Sequence, residues 1–481
     1  MKNSYLNLKL VSYNSQNGFP EAAAKIVFIS EEKQLEQHNA QAALFKTITS
    51  SFQDKNDAVV PAFGNGLTFW VVAASKDSEK IRNLGINLYK SLKKNNSEAS
   101  YLLGFEGLPS EVKTAFLEGL LMGSYQFTSY HKDKERKELK VYVSNEAVSA
   151  TAIKKVTNLI NGVALTRTLV NEPPNKLDSV MFSERIVEAG KTYGFDTEVL
   201  QKDKIVELGM GGLLGVNQGS EVPPTFNIMT YKPKNASNKK PLVLVGKGVT
   251  FDTGGYSLKT GGHMSSMKAD MGGGATVVGI MAAVAANALP YYVIGLVPAT
   301  DNKINGKALL VDDVITMMDG STVEIQNTDA EGRLILADAL SYAKQYKPEL
   351  VVDMATLTGA AAAITGPFGI AMAGNQQEKM DELKKSGETT YERLVQLPFW
   401  KEFEELLKSE VADLKNIGGP VGGASTAGKF LEHFTDYDWI HLDIAGPAFL
   451  DKETGSSPSG GTGVGVRLLY DFVNSRVGQS N

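Results

Sequence analysis

PLVLVGKG (241–248) is an unbroken apolar run of strand length that closes on Lys247 between two glycines. A run with no polar alternation suits a strand buried on both faces of a parallel sheet. Three further runs of the same character follow it: YYVIGLVPAT (291–300), ELVVDMATL (349–357) and WIHLDIAG (439–446). Helical segments lie between them, GGATVVGIMAAVAANA (273–288) and GRLILADALSYAKQY (332–346). Strand–helix alternation predicts an α/β fold with a mixed, mostly parallel sheet flanked by helices. In such sheets, sites form at the carboxyl ends of the strands.

Upstream, the alternation repeats on a smaller scale. KIVFIS (25–30), LTFWVVAAS (67–75), SYLLGFEG (100–107) and LKVYVSN (139–145) have strand character. Residues 35–52, 78–96 and 110–127 have helical spacing. A long helical segment, 149–170, then leads into VNEPPN (170–175), whose Pro-Pro pair cannot continue a helix. Two domains are expected: a smaller N-terminal α/β domain over 1–165 and a larger C-terminal catalytic domain over 166–481.

Composition removes several chemistries. The chain has 481 residues, no cysteine and a net charge of −5. Without cysteine there is no disulfide, no thiolate zinc site and no thiol nucleophile. The five histidines are His38, His131, His263, His433 and His441. No two have H-x-x-x-H spacing, so a helical two-histidine zinc site is excluded. A catalytic metal would need mostly oxygen ligands. The acidic balance and lack of a dense basic stripe give no footprint for nucleic acid. The charge run KDKERKELK (132–140) reads as a solvated loop. The first residues lack the apolar core of a signal peptide, and no apolar run is expected to span a bilayer, so a cytoplasmic protein without membrane attachment is expected.

Three glycine-rich segments concentrate charge. GKGVTFDTGGYSLK (246–259) holds Lys247, Asp252 and Lys259. MKADMGGGAT (267–276) holds Asp270, and NTDAEGRL (327–334) holds Asp329, Glu331 and Arg333. Each has a bland reading. A single Asp at a strand end is more often a cap, a lone Lys a salt-bridge partner, and DAE a helix start that suits the dipole. His441 reads as a core histidine, His263 as a loop residue and Met267 as core filler. Taken together the segments say more. STVEIQN (321–327) alternates like a strand, and carboxylates two residues apart on extended chain share a face. Four converging carboxylates repel unless cations neutralise them. Paired divalent ions would do so, and oxygen ligands admit Mg, Mn or Zn. A two-metal phosphatase or nuclease would use similar groups.

NTDAEGRL is similar to the signature of the leucyl (cytosol) aminopeptidase family. GKGVTFDTGGYSLK, MKADMGGGAT, VDMATLTGA (352–360), HLDIAG (441–446) and LVNEPPN (169–175) also resemble family segments, in the family's order. The resemblance implies an aminopeptidase that removes the N-terminal residue from peptides through a water activated by two metal ions. It implies Lys247, Asp252, Asp270, Asp329 and Glu331 as ligands, with Asp252 and Glu331 bridging. Lys259 would stabilise the oxyanion, and Arg333 would hold a bicarbonate as proton shuttle. Met267, Thr356 and Gly359 correspond to positions lining the pocket for the first side chain. The implied ions are zinc or manganese, with magnesium or cobalt as replacements, and the implied assembly is a homohexamer. The chain departs from the common pattern at 308–320, which lacks a proline-glycine, and at Tyr256 and Gly274.

Overall fold

The computed structural model describes residues 5–478 except 15–23, 32–33, 35–41, 55, 65, 74–75, 95–99, 106–107 and 133–137. His38, the start of the 35–52 helical segment and most of the 132–140 charge run lie outside the described residues. Two compact units are found, Lys2–Ala164 and Leu165–Asn481. The expected 149–170 helix spans Ala150–Asn171.

The N-terminal unit holds a six-stranded sheet. Its strands, in spatial order, are Leu8–Tyr13, Leu139–Ser144, Ser100–Gly104, Ala24–Ile29, Gly66–Val72 and Ala58–Gly64. All neighbours are parallel except the last pair. Helices Ser78–Lys94 and Ser110–Gly123 cross closely enough that a Cβ on Gly119 would lie 1.9 Å from the Arg82 carbonyl oxygen. Arg82, buried at that crossing, pairs with Glu79 and with Glu118. A buried guanidinium requires such partners.

The larger unit is built on a nine-stranded mixed sheet. Strand Leu242–Gly246 lies at its centre, parallel to Val293–Asn302 on one side and to Leu350–Ala355 on the other. Trp439–Asp443 pairs parallel to Leu350–Ala355. Every residue of these four strands is buried, which is why their sequences show no polar alternation. Antiparallel pairs enter toward both edges, through Thr225–Tyr231 and Ile370–Gly374.

Two sequence expectations need correction. Gly248–Asp252, read from sequence only as part of a glycine-rich segment after the central run, is a further strand, parallel to Val293–Asn302. Its Gly, Thr and Asp content hid it. The strand expected over 321–327 shrinks to Thr322–Glu324. Asp329 therefore sits in a loop, and Glu331 opens the helix Glu331–Ala343.

The segment Met267–Ala286 is also long and apolar enough to cross a membrane, against expectation. It is a short 3₁₀ turn followed by the helix Gly272–Ala286, and 94% of its apolar window is buried inside the unit. Its apolar character serves the core. Its N-terminal glycines allow close approach, since a Cβ on Gly273 would lie 2.2 Å from the Met354 carbonyl oxygen. A Cβ on Gly274 would likewise lie 2.9 Å from the Val297 side chain.

Candidate active site

The carboxyl ends of the central strands open into a cavity of about 820 Å³. All ten residues expected from sequence border it: Lys247, Asp252, Lys259, Met267, Asp270, Asp329, Glu331, Arg333, Thr356 and Gly359. Each arrives by a definite route. Lys247 follows the central strand, and Asp252 ends the short strand beside it. Asp270 lies on the 3₁₀ turn before the buried helix. Asp329 and Glu331 flank Ala330, the residue preceding their helix.

Lysines and carboxylates interlock. Lys247 Nζ lies 2.7 Å from Asp270 Oδ2 and 2.9 Å from Glu331 Oε1. It also donates to the Thr356 carbonyl at 3.1 Å. Lys259 Nζ lies 2.7 Å from Asp252 Oδ2 and 2.6 Å from Asp329 Oδ1. The Lys247 stem runs against Gly332, where an added Cβ would come within 2.4 Å of its Cε. The glycine of DAEGR thus leaves room for the lysine across the site.

Four carboxylates face two ammonium groups, so the cluster carries excess negative charge. Burial raises the Asp252 carboxyl to about 6, and Glu331 adds to the rise. Burial also pushes Asp270 well above the usual carboxylate range, even with Lys247 beside it. Burial opposes charge on Lys247, but Asp270, Glu331 and Asp252 outweigh it and hold the amine protonated. Glu331 is the carboxylate that stays low, because Lys247 overcomes the effect of burial.

The donor set suits divalent cations. Carboxylate oxygens of Asp252, Asp329 and Glu331 lie within 4.8 Å of one another. Asp270 Oδ2, Asp329 Oδ1 and Glu331 Oε2 are buried without a hydrogen bond of good geometry. The first two have only a lysine ammonium nearby, and Glu331 Oε2 has no recorded partner. Buried carboxylate oxygens are normally bonded, so this is a site shaped for ions.

Arg333 fits an anion. It is buried, and burial lowers its guanidinium to about 10. Its Nη1 donates to the Asn416 carbonyl at 2.6 Å, while Nε has no hydrogen-bond partner among the described residues. A guanidinium with an unused donor beside a cavity suits a planar oxyanion.

Other residues hold this arrangement and were not singled out from sequence. Asn302 donates to Asp252 Oδ1 at 2.8 Å and to the Thr328 carbonyl at 3.1 Å. Asn416 donates to the Asn327 carbonyl at 2.7 Å and accepts from Gln326 N at 2.8 Å. Asp443 accepts from Leu357 N at 3.1 Å and from the Thr358 hydroxyl at 2.8 Å, fixing the loop that carries Thr356 and Gly359. Thr356 in turn donates to Asp270 Oδ1 at 2.7 Å. Only Asp443 left a signal, a carboxylate within an otherwise apolar run. His441 is the core histidine expected, 2.6 Å from Asp353. His263 and Met267 are not merely loop and core: both border the cavity.

Known proteins share this architecture. A sequence model of the cytosol aminopeptidase family, catalytic domain, matches residues 164–470. A Chlorobaculum tepidum protein named "Probable cytosol aminopeptidase" is 47% identical over 382 residues, 76% of this chain and 75% of that one. One of the same name from Clostridium perfringens is 41% identical over 413 residues, 83% of each. Among solved structures, the bottromycin maturation enzyme BotP in complex with Mn superposes with a TM-score of 0.84 at 31% identity, covering 94% of this chain and 99% of that one. The cytosol aminopeptidase from Coxiella burnetii gives 0.84 at 27% identity, covering 97% and 99%. The matched residues include the strands, the carboxylates and the lysines that build this cavity, and the chain accordingly belongs to the cytosol aminopeptidase family, as a metal-dependent exopeptidase of the leucyl-aminopeptidase type.

Proposed function

We propose that the chain removes the N-terminal residue from peptides with a pair of divalent ions held by Lys247, Asp252, Asp270, Asp329 and Glu331. The observation that carries this reading is the convergence of those groups in one cavity, with more carboxylates than the two lysines can neutralise. When bound, such ions supply Lewis acidity, lowering the pKa of a water and polarising the scissile carbonyl. The chain's own groups do the rest. Lys247 can be a ligand only as the free amine, so its ammonium must release a proton to the solvent as the site fills. Lys259 lies between Asp252 and Asp329 at the edge of the cluster. Its ammonium would meet the charge developing on the carbonyl oxygen. Arg333 would hold bicarbonate by its unused donor, placing a proton carrier beside the reacting centre. Met267, Thr356 and Gly359 would receive the first side chain.

Zinc or manganese suits the ligand set, with magnesium or cobalt as replacements. The chemistry lies within 166–481, and the same reading includes a homohexamer in the cytoplasm. The test is to strip the protein of metal and refill it with Zn or Mn, then assay peptides with free and with acetylated N-termini. Hydrolysis of free-amine peptides alone, restored by metal, is the expected outcome. Equal cleavage of the acetylated peptides, or activity indifferent to metal, would overturn the reading.

A further inference from the structure

Beyond the metal cluster, the cavity wall has a composition of its own. Met267, Ala448 and Phe449 give it an apolar surface, and Asp451 adds a carboxylate. Asp451 is the only acidic residue lining the cavity outside the cluster, among the described residues. It is exposed, and no ion-pair or hydrogen-bond partner for its side chain is found among them. Its place is fixed by the backbone. Strand Phe449–Leu450 pairs antiparallel with Gly460–Gly461, and Thr462 bonds back to the Pro447 and Ala448 carbonyls at 2.7 and 3.1 Å. Asp451 follows directly on that paired segment.

We propose that Asp451 is a specificity-determining residue that selects peptides beginning with a cationic side chain, lysine or arginine. The inference rests on the aminopeptidase reading above and deepens it. A lysine or arginine side chain is an apolar stem with a charged tip. The wall offers both kinds of surface, apolar at Met267, Ala448 and Phe449 and anionic at Asp451. The cluster carboxylates do not compete for the tip, since ions and lysines engage them. An acidic first residue would meet Asp451 as a like charge, which rejects it. The open position makes the attraction modest and sensitive to salt.

The test uses full-length, Mn-loaded protein and dipeptides that share a second residue and begin with Arg, Lys, Leu or Glu. Asp451→Asn is expected to lower the Arg-to-Leu ratio of kcat/KM by roughly fivefold, mainly through KM, as for the loss of one exposed ion pair. Asp451→Lys is expected to lower it further and to improve the Glu peptide. High salt is expected to narrow the ratio in the unaltered protein and leave it unchanged in Asp451→Asn. An Arg-to-Leu ratio equal in the unaltered protein and both variants, with leucyl peptide still cleaved, would overturn this inference alone. Failure of the metal-loaded protein to cleave any of the four peptides would overturn the aminopeptidase reading and this inference with it.

Discussion

Two groups of carboxylates in the larger unit are finished differently. Asp353 spends both oxygens on its neighbours: Oδ2 accepts from Trp439 Nε1 at 2.6 Å, and Oδ1 lies 2.6 Å from His441 Nδ1. Asp443 is likewise engaged by Leu357 N, the Thr358 hydroxyl and Ala445 N. In the cavity, Asp270 Oδ2 and Asp329 Oδ1 have only a lysine ammonium beside them, and Glu331 Oε2 has no partner among the described residues. Burial is similar for Asp353, Asp270 and Glu331, so burial does not separate the groups. Completeness does. A structural network closes on itself, whereas a ligand site keeps valence in reserve for what it binds.

The sharpest way to break this contrast is to cut into the unfinished group. Glu331→Ala is expected to abolish turnover while the protein still folds, because Lys247 keeps Asp270 as a partner. Near-normal hydrolysis by that variant would remove Glu331 from the ligand set. Lys259→Ala comes next. Losing a fixed positive charge at the developing oxyanion is expected to lower kcat by about 10²-fold with metal content retained. An unchanged kcat would leave Lys259 as a counter-ion only. Asp353→Ala probes the finished group, and its effect falls on stability. It orphans the Trp439 and His441 donors and is expected to cost roughly 3 kcal/mol in denaturant unfolding. The folded fraction should turn over peptide at close to the normal rate. A stability loss from Glu331→Ala that matched the loss from Asp353→Ala would erase the distinction.

Much of the larger unit was legible in sequence because its central strands are buried on both faces. Runs such as PLVLVGKG have one plausible environment, and the charged, glycine-rich segments after them stand out against it. The proposed ligand set came through resemblance. The residues alone supplied only a plausible convergence, since three segments far apart in the chain must be brought together by tertiary structure. Asp329 and Glu331 meet across a loop and a helix start, not along extended chain, so the expected geometry was wrong where the grouping held. Asn302 and Asn416 were invisible. Their roles depend on which carbonyl or carboxylate lies opposite, and an asparagine at a strand end or in a loop carries no such information. Asp451 was equally silent, because its significance comes from the cavity it borders.

The account stands or falls on whether the carboxylate cluster takes up ions. Metal content per chain, measured by mass spectrometry after stripping and equilibration with Mn, tests this most directly. Two ions per chain, falling to one or none in Glu331→Ala and unaltered in Asp451→Asn, is the predicted result. Less than one ion at saturation, or two ions retained in Glu331→Ala, would contradict it.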